Sequence, residues 1–347
     1  MGKLKNKDIA NALNISTAAV SMALNNKPGV SEDTRQKVLS YYAQHSDTPS
    51  FPVSSQFSKT LIFDIYKETG DIIIDKPFFA EIMSSLNDEA RKNGFLLVVF
   101  HCDSETDMHK HIEDLNAQKA DGLILLATEM TVDTLSYYQD LECPFVLLDG
   151  YIDELPCDSV SLDNSNAMYR AYKYAHDLGH RNLGYLKCST DIPNFTHRFD
   201  GFCKARRTLE PELYQQLPTV FSLPGNLKES CRQMKTILEN LPDDFTMPTC
   251  FLADFDFVAI GAMIAFTKHG YSIPKDVSFI GYDDIDLSAV SSPPLTSLQL
   301  HQRTLARCAV NLLSKKIANP ELCNMKVTLT SDLVIRESVA DLTEKQT

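Results

Sequence analysis

At 347 residues, with 44% apolar and 23% charged residues, the chain is too long for one ordinary core and has the composition of a globular protein of two or three units. No apolar run approaches the roughly 18 residues of a membrane span, and the opening MGKLKNKDIANAL lacks the apolar core and cleavage site of a signal peptide, so a cytoplasmic location is expected. The net charge of −13 excludes a generally basic surface, yet residues 1–60 hold seven Lys and Arg against four acids, a basic head on an acidic body that fits a polyanion partner at one end.

The first sixty residues read as three short helices. Ile9, Ala12 and Leu13 share a face of the first, and Asn14 closes it. Ser16 stands at the N-cap position of a second helix that turns Val20, Ala23 and Leu24 inward. The run Asn25–Gly29 breaks it, and Ser31 caps a third helix whose buried stripe is Val38, Leu39 and Tyr42. Two helices joined by a four-residue turn, with small Ala18 and Ala19 at the start of the second, fit a helix-turn-helix that enters the DNA major groove. The periodicity fits a packed helical subdomain equally well. The helix starts at Ser16 and Ser31 offer backbone N–H groups to phosphates. Residues 46–59 read as a Ser/Pro-rich linker.

From residue 60 the pattern changes to short apolar strands alternating with helices. Strands are expected at 61–65, 95–100, 122–126, 145–149, 183–186, 219–223, 250–253 and 277–281. Helices are expected at 79–92, 108–118, 131–141, 166–178, 198–209, 227–241 and 257–269. Near-continuous apolar strands between helices mean parallel sheets covered on both faces, here two doubly wound units in succession with a ligand cleft beyond their strand ends. The nine cysteines are scattered singly and read as small apolar residues, with no disulfide. No metal or cofactor motif, nucleophile elbow or phosphate-binding glycine loop is present, so neither a metal, a cofactor nor an enzymatic activity is expected. Asp283 and Asp284 are adjacent and point apart, which disqualifies them as a catalytic carboxylate pair.

The segment Lys7-Asp8-Ile9-Ala10, Leu13-Asn14-Ile15-Ser16, Val20-Ser21, Ala23-Leu24-Asn25, Gly29-Val30-Ser31, Thr34-Arg35 and Val38 resembles, without gaps, the head of the lactose/purine repressor family of bacterial regulators. The body resembles the same family, and its periplasmic sugar-binding cousins, in Ala120-Asp121-Gly122, Leu178-Gly179-His180-Arg181, Arg198-Phe199 with Gly201-Phe202, and Ile273 through Asp284. The resemblance spans about residues 1–340. It implies a head at 1–45, a hinge at 46–59, a first lobe at 60–161 plus 291–323 and a second at 162–290 plus 324–340.

The resemblance also implies a sequence-specific regulator, a repressor by family habit, that binds a pseudopalindromic double-stranded DNA operator as a homodimer or tetramer. A sugar-like effector held between the lobes would control it. Thr17, Ala18 and Met22 stand where relatives present base-reading side chains, with Lys7, Ser21, Asn25 and Arg35 among the matching positions. Ala19 and Met22 replace the usual threonine and arginine, and Gln56 replaces the usual minor-groove leucine, with Phe57 next to it as the candidate wedge. Arg198 and Asp256 match effector-gripping positions. Phe78, Phe79 and Phe195 are candidates to flank a ring, and Asp149 and Asp283 follow strand ends. Phe255 replaces the usual asparagine before Asp256. The departures in head and hinge leave a second reading, a sugar sensor with weakened DNA specificity.

Overall fold

The computed structural model describes residues 6–24, 29–31, 34–35, 37–38, 41, 59–70, 72, 77–150, 156–213 and 216–343. The chain divides into a head unit and a body unit.

In the head, the helices Asn6–Leu13 (α1) and Thr17–Leu24 (α2) are followed by helical residues at 34–35, 37–38 and 41. Asn14 turns the chain with φ 52°, the left-handed conformation that asparagine tolerates. Ser16 caps α2 as expected, its Oγ accepting from Ala19 N at 3.0 Å, and Ser31 Oγ accepts from Thr34 N at 3.2 Å. Ile9, Ala10, Val20, Ala23 and Val38 form the core, with Leu13, Ile15, Val30 and Tyr41 against it. Ala12, expected inside, is exposed; the buried face of α1 runs through Ile9, Ala10 and Leu13 because α2 packs one residue around from the expected stripe.

The body holds two six-stranded sheets. The first comprises β1 (Lys59–Lys67), β2 (Phe95–Asp103), β3 (Gly122–Leu126), β4 (Phe145–Leu148), β5 (Asp158–Leu162) and β11 (Lys326–Leu329), in the order 11-5-4-3-1-2. The second comprises β6 (Leu183–Cys188), β7 (Val220–Leu223), β8 (Cys250–Ala253), β9 (Ser278–Asp283), β10 (Thr296–Gln299) and β12 (Asp332–Val334), in the order 12-10-9-8-6-7. Both orders place their reversal beside the first strand of the unit, where β1 meets β3 and β6 meets β8 in parallel register. Every residue of β3 and of β8 is buried, which is why these strands read as continuous apolar runs.

The lobe boundaries differ from those expected. β10 pairs in parallel with β9, Ser297 opposite Gly281, so it belongs to the second sheet. β11 pairs in parallel with β5, Val327 opposite Val160, so it belongs to the first. The Gln302–Ala318 helix between them packs on the Pro77–Lys92 helix and on β3, β4 and β5. The last two crossings therefore fall near residues 300 and 330 rather than at 290/291 and 323/324. The second sheet also carries an antiparallel edge, β10 with β12. The helix expected over 131–141 is an α-turn, Val132–Ser136, that tightens into a 3-10 turn at Tyr137–Asp140.

The Asn164–Asp177 and Pro193–Leu209 helices pack unusually closely because residue 201 is glycine: a Cβ there would lie 2.1 Å from the Ser165 carbonyl oxygen. None of the nine cysteines is in a disulfide; four are buried and Cys323 is exposed. Among the described residues no helix is long and apolar enough to cross a membrane.

Candidate functional site

Doubly wound sheets gather side chains where their strands end, and the cleft of the body is built this way from both sheets. The first lobe supplies Ile72, Phe78, Phe79, Thr128, Asp149 and Leu162; the second supplies Asn194, Phe195, Arg198, Phe255, Phe257 and Asp283, among others.

Arg198 is the main polar group, 5% exposed. Its Nε donates to Asn164 Oδ1 at 2.9 Å, its Nη1 donates to the Asp254 carbonyl, and its guanidinium carbon lies 3.6 Å from the Tyr282 ring centroid. Tyr282 Oη donates to the same Asn164 Oδ1 at 2.8 Å. The guanidinium is thus held flat before any ligand arrives, and among the described residues no hydrogen bond uses its second terminal nitrogen. Asp283 Oδ1 is 3.9 Å from Nη1. Asp283 adopts φ 106° and Asp149 φ 57°, left-handed conformations uncommon outside glycine. Asp284 points the other way, to Arg336 at 2.7 Å and to Gln299 at 3.0 Å.

Asp149 is buried and accepts from Thr128 Oγ1 at 2.8 Å and from Asn194 Nδ2 at 3.2 Å. Asn194 comes from the second lobe and Asp149 from the first, so this bond ties the lobes together. Burial pushes the Asp149 carboxyl up to about 6, against the pull of Thr128, Arg198 and Asn194. The remaining wall is aromatic. Phe195 and Phe255 stack with their centroids 5.6 Å apart and planes at 4°, and Phe78 and Phe79 meet edge-on at 4.9 Å.

Seven of the eight expected effector residues line this cleft: Phe78, Phe79, Asp149, Phe195, Arg198, Phe255 and Asp283. Asp256 does not. Its carboxylate is fully buried and accepts from Ser288 Oγ and Ser297 Oγ, both at 2.6 Å, and from Ile285 N at 3.0 Å. It knots the end of β9 to β10 within the second lobe. The neighbouring carboxylate Asp254 also faces its own lobe, accepting from Tyr185 Oη at 2.5 Å and Cys188 N at 2.6 Å. Sequence reasoning missed Thr128, which follows β3 by two residues, and Asn194 and Phe257, each the second residue of the helix that follows a strand, positions where a search of strand-to-helix connections would find them. It also missed a buried group that only the fold assembles: Asp64 Oδ2 lies 2.8 Å from His111 Nε2 and from Tyr138 Oη, with Cys102 beside it.

In the head, Ser16, Thr17 and Ala18 are exposed at the start of α2, and Ser31 is exposed at its own helix start. Ser21 and Met22 are half-buried. A Cβ on Gly29 would lie 3.0 Å from Met22 Sδ, so the thioether is seated against Gly29. Arg35 Nη1 donates to the carbonyls of Ala23 at 3.2 Å and Met22 at 3.4 Å, which gives it a role in closing the end of α2. Lys7 lies on α1. Asn25, Phe57 and nearly all of the expected hinge lie outside the described residues.

A capped helix-turn-helix in one unit and a ligand cleft between two doubly wound sheets in the other define a ligand-responsive DNA-binding regulator. Residues 6–50 match the family described as bacterial regulatory proteins, lacI family, and residues 172–339 match the periplasmic binding protein-like domain. The chain belongs to the LacI/GalR family of bacterial transcriptional regulators. It is 29% identical over 341 residues to the HTH-type transcriptional repressor PurR of Mannheimia succiniciproducens, covering 96% of this chain and 98% of that protein. It is 27% identical to the ribose operon repressor of Haemophilus influenzae, covering 97% and 98%. Its fold matches the lac repressor dimer bound to operator and the anti-inducer ONPF, with TM-score 0.71 at 21% identity over 98% of this chain and all of that one. A CelR–cellobiose complex matches with TM-score 0.69 at 20% identity, over 97% of this chain and all of that one.

Proposed function

We propose that this regulator is a repressor that binds a pseudopalindromic operator as a homodimer and that a small molecule in the interlobe cleft sets its grip on DNA. The observation that carries this reading is the Asn194–Asp149 bond, which joins the two lobes inside the cleft itself. A ligand that competes for these groups changes the lobe contact and the binding free energy together. The free nitrogen of Arg198 and the carboxylates of Asp149 and Asp283 suit hydroxyl or ring-nitrogen partners, and the phenylalanines suit an apolar ring face. A sugar-like effector with one apolar face fits best. One relative is named the ribose operon repressor, and one structure of similar fold is a complex with cellobiose.

In the head, Thr17 and Ala18 are proposed to meet base edges, with Ser16, Ser21 and Ser31 near the backbone and Lys7 and Arg35 supplying positive charge. Met22, seated on Gly29, contributes an apolar surface at most. The experiment is a footprint on DNA from upstream of the protein's own gene, with nonspecific competitor, repeated with ribose, cellobiose, hypoxanthine and guanine. Protection of a pseudopalindrome that one of these ligands alters supports the reading. Uniform protection of any DNA, whatever the ligand, refutes it.

A further inference from the structure

The turn after β3 carries Thr128, which reaches Asp149 in the cleft, and next to it Glu129, which no expectation touched. Glu129 is 4% exposed. Its carboxylate makes no ion pair among the described residues. Instead Oε2 accepts three successive backbone N–H groups, those of Glu68, Thr69 and Gly70, each at 2.9 Å, and Oε1 accepts that of Ile72 at 3.2 Å. A buried carboxylate persists only when such donors replace its water. Here they all come from the chain that leaves β1 at its C-terminal end, and the capture fixes where Ile72 goes.

Ile72 lines the effector cleft. It also belongs to the apolar cluster of the opposite lobe, with Leu186, Cys188, Leu223 and Phe255. A Cβ on Gly225 would lie 3.5 Å from Ile72 Cδ1 and from Phe255 Cζ, ordinary contact distances that put the isoleucine tip beside Gly225 and the Phe255 ring of the second lobe. A second cavity is bordered by the clamp residues Glu68, Thr69 and Glu129 and by Ile192, and Ile192 borders both cavities.

We propose that Glu129 is a positioning residue of the effector site: by clamping the backbone at residues 68–70 and 72 it seats Ile72 in the second lobe, so that Ile72 forms one wall of the cleft and an apolar lobe-to-lobe contact at once. The proposal rests on the interlobe cleft as the effector site. Its mechanical half is testable without any effector. Because the chain contains no tryptophan, Ile72→Trp creates a single fluorescent reporter at the clamp.

The test combines that reporter with hydrogen exchange on the full-length protein. Glu129→Ala is expected to speed exchange of the amides of Glu68, Thr69, Gly70 and Ile72 by about tenfold or more and to leave β3 and β4 unchanged. Glu129→Gln, which keeps one acceptor oxygen, falls between it and the wild type. In the Ile72→Trp background Glu129→Ala shifts the emission maximum to the red as the ring leaves its seat. Where Ile72→Trp fails to fold, the exchange experiment stands alone. Unchanged protection of these four amides in Glu129→Ala, or faster exchange spread evenly over the first lobe, overturns the clamp. Ribose, cellobiose and hypoxanthine are then titrated against Ile72→Ala. A clamp confirmed by exchange, with wild-type affinity in Ile72→Ala for a probe that binds, overturns the wall assignment; a clamp confirmed with no probe bound to the wild type counts against the effector reading instead.

Discussion

Removing the carboxylate of Asp256 should destabilise the second lobe and leave ligand choice untouched. The residue matches an effector-gripping position of the family, yet here it accepts from Ser288, Ser297 and Ile285 N. A hydrogen bond to a charged group contributes about 1.5–3 kcal/mol, less when several share one acceptor. Asp256→Ala also leaves the Ile285 N–H and two hydroxyls unsatisfied, offset in part because no charge remains buried. The net loss is about 3–5 kcal/mol, a large share of the roughly 5–15 kcal/mol typical of a domain. Asp256→Asn keeps one acceptor oxygen and should lose about 1–2 kcal/mol.

The pH dependence has a definite sign. Burial pushes the folded carboxyl up to about 6, above an unfolded value of about 3.9. The folded state therefore binds the proton more tightly, and this residue's contribution falls as pH rises from about 4 to about 6. The wild type should gain on Asp256→Asn when urea melts move from pH 7 to pH 5. Urea unfolding of the three proteins at both pH values, with the thermal shift of any stabilising sugar measured in parallel, tests this. An Asp256→Asn protein with wild-type stability but more than tenfold weaker ligand binding would refute the reasoning and return Asp256 to the cleft.

Four further outcomes are expected. Asp149, pushed up to about 6 by burial, accepts best as the anion, so effector affinity should fall up to about tenfold per pH unit below 6 and Asp149→Asn should flatten the profile by calorimetry. Ser16→Ala should destabilise the head by about 0.5–2 kcal/mol by losing the cap on Ala19 N, whereas Thr17→Ala should relax base preference in a competition assay without changing the salt slope. Gly201→Ala should lower stability by at least about 1–3 kcal/mol in thermal unfolding, because its Cβ has no room beside the Ser165 carbonyl.

What could be read from the sequence was what depends on neighbours in sequence. The Ser16 cap needs only four consecutive residues, and the all-buried β3 and β8 announce themselves as apolar runs. Arg198 and the phenylalanines were legible from motif and from their place after strands. The side of the chain on which Asp256 falls was not, because a helix start turns alternate residues to ligand and to core, and only Ser288 and Ser297 decide between them. β10 and β11 have four residues each, too few for periodicity to assign to a sheet; their hydrogen bonds to β9 and β5 assign them. Glu129 serves N–H groups about sixty positions earlier, and Asp64 meets His111 across 47. Neither partnership leaves a local pattern.

The central claim is that cleft and head are thermodynamically coupled. It is tested most directly by the affinity for a footprinted operator, at fixed salt and with competitor DNA, with and without the ligand that stabilises the body. The account predicts a change of about fivefold or more, mirrored by an equal change in ligand affinity when operator is present. A ligand that binds the cleft tightly while operator affinity stays the same would contradict it.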